Sequence, residues 1–312
     1  MQKITLCIFW RTLFIQFFCL DSYNTHEQKR KLTTKSRQEE TPMKFENEAR
    51  ALYITAWNAA NRQYRRGDHG HPVALKSFLH EKDIAYTIDL EVMNIPTSKI
   101  VGVAKASHKD LAYTADFLPT NPVESSFAAK WVRLYQAYLN DADIREPVHC
   151  YEYLGNFYVI DGMKRVSVAK CHGASTISAL VTRLMPARSN DPQVQNYYEF
   201  LKHFSMTQLY QVCFSNPANF GKLQAALGHA ADHRWTEMDR FGFLFYWYSF
   251  DHAFGKVFGE SAAVTAADAL VAVLEDRPYS DVRKMTPWDL EDVLQALRKK
   301  GFGTEAEVGK AS

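Results

Sequence analysis

Cysteine is scarce in this chain and carries no pattern. The 312 residues hold five, Cys7, Cys19, Cys150, Cys171 and Cys213, with no Cys-x-x-Cys pair. An odd number without zinc spacing excludes both a secreted disulfide framework and a cysteine-based zinc site. The thiols read as buried groups of a reducing compartment, so the expected location is cytoplasmic. Net charge is also small, +2 over the chain. Residues 1–42 contain seven Lys/Arg and four Asp/Glu, which leaves the other 270 residues at about −1. Any contact with DNA would therefore rest on a local patch of cations, not on overall charge. No long hydrophobic run is free of charge: residues 4–20 are apolar but Arg11 interrupts them, and no small-residue cleavage site follows. Finally, His-Glu-x-x-His is missing. His229 and His233 have the spacing of one helical face without the glutamate, and His69 and His71 fall in the loop-like Gly67-Asp-His-Gly-His-Pro72, so no metal site is expected.

What is present is ordinary globular composition, 46% hydrophobic and 23% charged, over a length that accommodates one large or two modest cores. Residues 1–42 read as a non-native extension or disordered tail, with Met43 as the functional start; the alternative is an uncleaved membrane anchor. From Phe45 to Arg66, Ala49, Leu52, Tyr53, Ala56, Trp57, Ala60 and Tyr64 form one helical stripe. A second helix is predicted around Val73–Glu81, followed by a strand over Tyr86–Val92. Glu124–Leu139 places Phe127, Trp131, Leu134, Tyr135 and Tyr138 on one face and predicts a core helix. After Arg188-Ser-Asn-Asp-Pro192 the chain reads as helical throughout. Thr236, Thr265 and Thr286 each precede an acid by three residues at the head of an apolar run, which is a helix-start signal. The predicted fold is α+β: helices over 43–85, a mixed domain over 86–186 and a helical bundle over 187–312.

The stretch around which these parts are arranged is Phe157-Tyr-Val-Ile-Asp-Gly-Met-Lys-Arg-Val-Ser-Val-Ala-Lys-Cys-His-Gly173. It reads as strand, tight turn and helix. Gly162 allows a sharp turn and a close approach of backbone to ligand, and the first helical amides point outward without intrahelical partners. Lys164 and Arg165 add two positive charges, so a phosphate suits the place. A plain strand-to-helix connection with two solvated cations fits the same residues.

Ile160-Asp-Gly-Met-Lys-Arg-Val-Ser-Val-Ala-Lys-Cys-His-Gly-Ala174 resembles the signature of the ParB/sulfiredoxin superfamily, and Arg145-Glu-Pro-Val148 and Ile177-Ser-Ala-Leu-Val-Thr-Arg-Leu184 resemble its lead-in and closing strand. The likeness is nearest to a less characterised bacterial ParB-like group and extends over most of the chain from Met43. It implies a turn that binds nucleotide phosphates, CTP or ATP, with Mg2+ as a potential companion, through Gly162, Lys164, Arg165 and Ser167. Met163 departs from the pattern: sulfiredoxins carry their reactive cysteine there, and many ParB proteins a glutamate linked to metal. Sulfinic acid reduction is therefore not expected.

The leading expectation is a nucleotide-responsive regulatory or DNA-associated protein, a homodimer being one way to couple nucleotide to partner. The alternatives are a phosphotransferase or nuclease, for which Asp161 and Glu152 are catalytic candidates by proximity in sequence, and a ligand-free protein-interaction scaffold.

Overall fold

The computed structural model describes residues 42–139, 146–216, 218–259 and 264–303. Residues 1–41, which include the segment read as an extension or an anchor, lie outside the described residues, as do 140–145 with Arg145. Among the described residues no helix is long and apolar enough to cross a membrane. Leu52–Ser312 forms one compact unit; of the other, Met1–Ala51, the described part is the opening of helix α1 (Pro42–Arg65). Arg62 and Arg65 occupy the last turn of α1, where unpaired carbonyls favour cations. The Tyr53 hydroxyl donates to the Asn121 carbonyl at 2.8 Å and Trp57 Nε1 to the Thr120 carbonyl at 3.2 Å. These bonds tie the later part of α1 to the loop ahead of α2 (Ser126–Leu139).

Seven strands make one mixed sheet: β1 (Val73–Ala74), β2 (Ile84–Asp89), β3 (Met93–Pro96), β4 (Ile100–Val103), β5 (Val148–Tyr153), β6 (Asn156–Asp161) and β7 (Thr176–Pro186). Their order is β1-β4-β6-β5-β7-β2, with β3 also on β7. β7 is long enough to serve two partners, Thr176–Ala179 pairing with β3 and Thr182–Pro186 with β2. β1–β4, β4–β6 and β5–β7 are parallel, whereas β5 and β6 form an antiparallel hairpin. Leu154 and Gly155 close that hairpin with φ of 50° and 77°, the paired positive values of a two-residue turn whose twist matches the strands.

The helix expected over Val73–Glu81 does not form. The segment supplies β1 and two short 3₁₀ turns, Leu75–Ser77 and Glu81–Asp83. A nine-residue helix is marginal on its own, and here the edge of β4 competes for the backbone. Gly102 makes that edge approachable, because a Cβ at this position would lie 2.1 Å from the Val73 carbonyl oxygen.

Among the described residues seven further helices follow α2: α3 (Met163–His172), α4 (Pro192–Thr207), α5 (Asn219–Ala226), α6 (Glu237–Phe258), α7 (Ala266–Asp276), the single turn α8 (Tyr279–Val282) and α9 (Pro287–Lys299). Thr236, Thr265 and Thr286 cap α6, α7 and α9 in reciprocal boxes with Asp239, Asp268 and Asp289. Two large apolar cores lie among the described residues. One lies on the sheet and includes Ile100, Val148, Phe157, Val166 and Val181; the other lies among α5, α6, α7 and α9 around Leu223, Trp247, Phe250, Leu270 and Leu290. The change of sequence character at Arg188–Pro192 does not divide these cores. Tyr197, Phe200 and Phe204 of α4 belong to the sheet core, their rings packed in series against one another.

Candidate functional site

The β6–α3 junction has the predicted shape. Gly162 is the N-cap of α3 with φ 101° and ψ 18°, and no side chain caps the helix start. The amides of Met163, Lys164 and Arg165 therefore have no intrahelical acceptor and direct partial positive charge outward. Gly162 is required twice over: its φ is left-handed, and a Cβ would stand 2.8 Å from Val148 Cγ1.

Lys164 stands at this opening with its Nζ 4.8 Å above the ring of Phe127. Its amine is pushed below the usual lysine range, first by burial and then by the charges of Lys130 and Lys109. Those two lysines belong to separate elements, the 3₁₀ turn His108–Ala112 and α2. The segment Ala104–Leu118 reaches α3: the ring of Phe117 lies 5.3 Å from Lys170 Nζ.

Arg165 is placed differently from Lys164. Its Nη1 donates to the carbonyls of Glu146 and, at 3.0 Å, Pro147, and its Nη2 pairs with Asp161 at 3.0 Å and with the Glu146 carboxylate at 3.7 Å. The guanidinium thereby braces the entry to β5 and is neutralised by two carboxylates. Ser167 stands off the surface altogether. It is fully buried and its Oγ accepts from Trp131 Nε1 at 3.0 Å, since α3 turns this face toward α2. The resemblance grouped Ser167 with the phosphate ligands, but one turn of helix carries it from the mouth into the core.

Asp161 and Glu152 are not brought together. β5 and β6 pair His149 with Asp161 and Glu152 with Phe157, so the two carboxylates stand about 10 Å apart along the hairpin, three residues of strand rise. Asp161 is exposed and engaged with Arg165. Glu152 is wholly buried in a polar knot: Tyr197 donates to its two oxygens at 2.7 and 2.8 Å, the Gly155 amide donates to Oε1 at 2.8 Å, and Arg183 donates to Oε2. Arg183 also donates to the Tyr210 hydroxyl at 2.6 Å. Burial first, and then the Glu152 charge, push the phenols of Tyr197 and Tyr210 well above their ordinary range, so both act as neutral donors or acceptors.

A cavity of about 410 Å³ opens at the hairpin-turn end of β5 and β6, beside Lys99, Tyr153, Asn156, Asn196 and His203. None of the residues of the Gly162 turn lines it. An anion on the helix start would lie on the surface, so cavity and turn are separate places.

Sequence reasoning missed Lys130 as a neighbour of Lys164. It also placed His229 and His233 on one helical face, whereas both lie in the irregular connection between α5 and α6, where Asp239 joins them. The Thr-x-x-Asp spacing identified Asp239 as a capping acid and contained no sign of its second neighbours. No protein-family model matches this chain, and no curated protein matches it, so the likeness to the ParB/sulfiredoxin superfamily stands on the motif residues alone.

Proposed function

We propose that this protein is a ParB/sulfiredoxin-like, nucleotide-responsive regulatory or DNA-associated protein that grips the phosphates of CTP or ATP at the start of α3. The observation that carries the reading is a helix start that no side chain caps, with the Lys164 amine in its first turn. An anion there would offset the burial of that amine and the charges of Lys130 and Lys109 that act on it, and free amides supply directional bonds to its oxygens. Gly162 keeps the approach clear of side chain. In this reading Lys164 and the amides of residues 163–165 hold phosphate, whereas Arg165 positions the turn through Glu146, Pro147 and Asp161.

A switch by nucleotide requires two conformations with different affinity for it. Phosphotransfer has less support. Glu152 lies at the far end of the hairpin, and Asp161 is committed to Arg165, so neither of these carboxylates is free beside the turn to orient a metal or a nucleophile.

The test is calorimetric titration of the full chain with CTP, ATP and GTP, each with Mg2+. Binding of one nucleotide is expected, lost in Lys164→Ala and weakened in Lys109→Ala and Lys130→Ala. If all three nucleotides leave the calorimeter silent, the reading is wrong and the scaffold alternative takes its place.

A further inference from the structure

We propose that His229, His233 and Asp239 form a binding site for a divalent transition-metal ion of the zinc class. One ligating atom from each residue can be chosen so that all lie within 4.8 Å of one another. His233 Nε2 lies 3.0 Å from Asp239 Oδ2 and His229 Nε2 3.8 Å from Asp239 Oδ1, with the imidazole centroids 4.3 Å apart. Bonds of about 2.0–2.2 Å in tetrahedral geometry require donors roughly 3.4 Å apart, and the two nitrogen–oxygen separations bracket that value. Closing the widest gap takes small rotations of the imidazoles.

The decisive feature is the outer hydrogen bonding of His229. Its Nδ1 lies 3.3 Å from Gln224 Oε1. The amide orientation of Gln224 is settled by its neighbours, because Oε1 accepts from Trp235 Nε1 at 2.7 Å and Nε2 donates to the His233 carbonyl at 3.1 Å. Gln224 is buried, so this orientation has no solvent alternative. An acceptor at Nδ1 calls for a proton on that nitrogen, which in the neutral ring leaves the lone pair on Nε2, 3.8 Å from a carboxylate oxygen. Lone pair against carboxylate is repulsive unless a second proton or a metal ion lies between them. An imidazole held through its second nitrogen by a fixed carbonyl is also the usual outer arrangement of a metal-bound histidine. A simple hydrogen bond from His233 to Asp239 explains only one of the two rings.

Asp239 has an oxygen to give. Oδ2 accepts from the Thr236 amide and hydroxyl, both at 2.8 Å, while Oδ1 faces His229. The connection is also held in place: the His229 amide bonds the Gln224 carbonyl at 2.9 Å and the His233 amide the Ala230 carbonyl at 3.0 Å. Two imidazoles with one carboxylate favour zinc and its neighbours over magnesium or calcium, which prefer oxygen alone. The three side chains are partly exposed, so water can complete the coordination. The ion would clip the α5–α6 connection to the first turn of α6.

The full-length chain, stripped with a chelator and returned to chelator-free buffer, is titrated with Co2+ as a spectroscopic probe and with Zn2+ in the calorimeter. One equivalent should bind, with ligand-field absorption, no thiolate charge-transfer band, and displacement of Co2+ by Zn2+. His229→Gln combined with His233→Gln should weaken binding by more than the roughly 10–100-fold typical of losing an outer-shell partner, with the far-UV CD spectrum unchanged. If that variant does not fold, Asp239→Asn, which keeps an oxygen acceptor for Thr236, is measured against the same expectation. Undiminished binding in the variants, a thiolate band, or no uptake by the wild-type chain at micromolar free ion overturns the proposal.

Discussion

Glu152 and Arg183 should behave as one unit in folding. Glu152 is fully buried and Arg183 nearly so, and their direct bond is surrounded by Tyr197, Tyr210 and the Gly155 amide. Removing either charge alone strands the other in the interior, which costs about 3–5 kcal/mol. Against a typical total stability of about 5–15 kcal/mol, either single change is a large loss. The double variant Glu152→Gln with Arg183→Met strands no charge. The introduced amide still accepts from Tyr197, so the main remaining cost is the unpaired Tyr210 hydroxyl, about 1–3 kcal/mol. The double variant should therefore be more stable than the sum of the singles predicts, by at least about 2 kcal/mol. Urea denaturation followed by tryptophan fluorescence and by far-UV CD measures all four proteins. Additivity within about 0.5 kcal/mol would refute the reasoning, since it would mean that the two groups do not share a desolvated environment. The same set tests a second point: Glu152→Gln should leave nucleotide affinity unchanged, because the residue lies away from the turn.

Gly162→Ala should cost about 1–3 kcal/mol from the left-handed backbone alone, and more from the clash with Val148, read as a fall in urea midpoint. Arg165→Ala should lower stability through loss of its bonds to Glu146, Pro147 and Asp161, whereas Lys164→Ala should leave the melting temperature nearly unchanged while abolishing nucleotide binding; the reverse pattern would exchange their roles. Burial pushes the Cys150 thiol up to about 12 and the Cys171 thiol up to about 11, so at pH 8 thiol reagents should label both far more slowly than an exposed cysteine, and at normal rates after denaturation, as mass spectrometry would show. The Thr236 amide and then its hydroxyl hold the Asp239 carboxyl down to about 2, and the Thr286 amide and hydroxyl likewise lower Asp289. Because these folded-state values are depressed, the caps contribute fully above the unfolded carboxyl range near 4 and are lost as pH falls through the lower folded-state values. Thr286→Ala should therefore flatten the decline of melting temperature below a pH of about 4.

Local chemistry was legible in the sequence by itself. Helix starts at Thr236, Thr265 and Thr286, the turn glycines at 162 and 173, and most of the core faces of α1 and α2 depend on residues within a few positions of one another and appear where the pattern put them, whereas Tyr64 and Tyr138, at the far ends of those faces, are exposed. The turn after β6 was readable for the same reason. Partnerships across the chain were decided by tertiary structure alone. Nothing local distinguishes Ser167, buried against Trp131, from a serine at a phosphate, or Glu152, sealed by Arg183 and Tyr197, from a catalytic acid. Val73–Ala74 became a strand because β4 offered an edge beside Gly102. Lys109 and Lys130 are far from Lys164 in sequence and act on it only after α2, α3 and the intervening loop have packed, and His229 and His233 gain Asp239 only when α6 turns back on the connection that precedes it. Short-range propensity writes the elements into the sequence, while the burial and charge that define a site arise from residues that only packing makes neighbours.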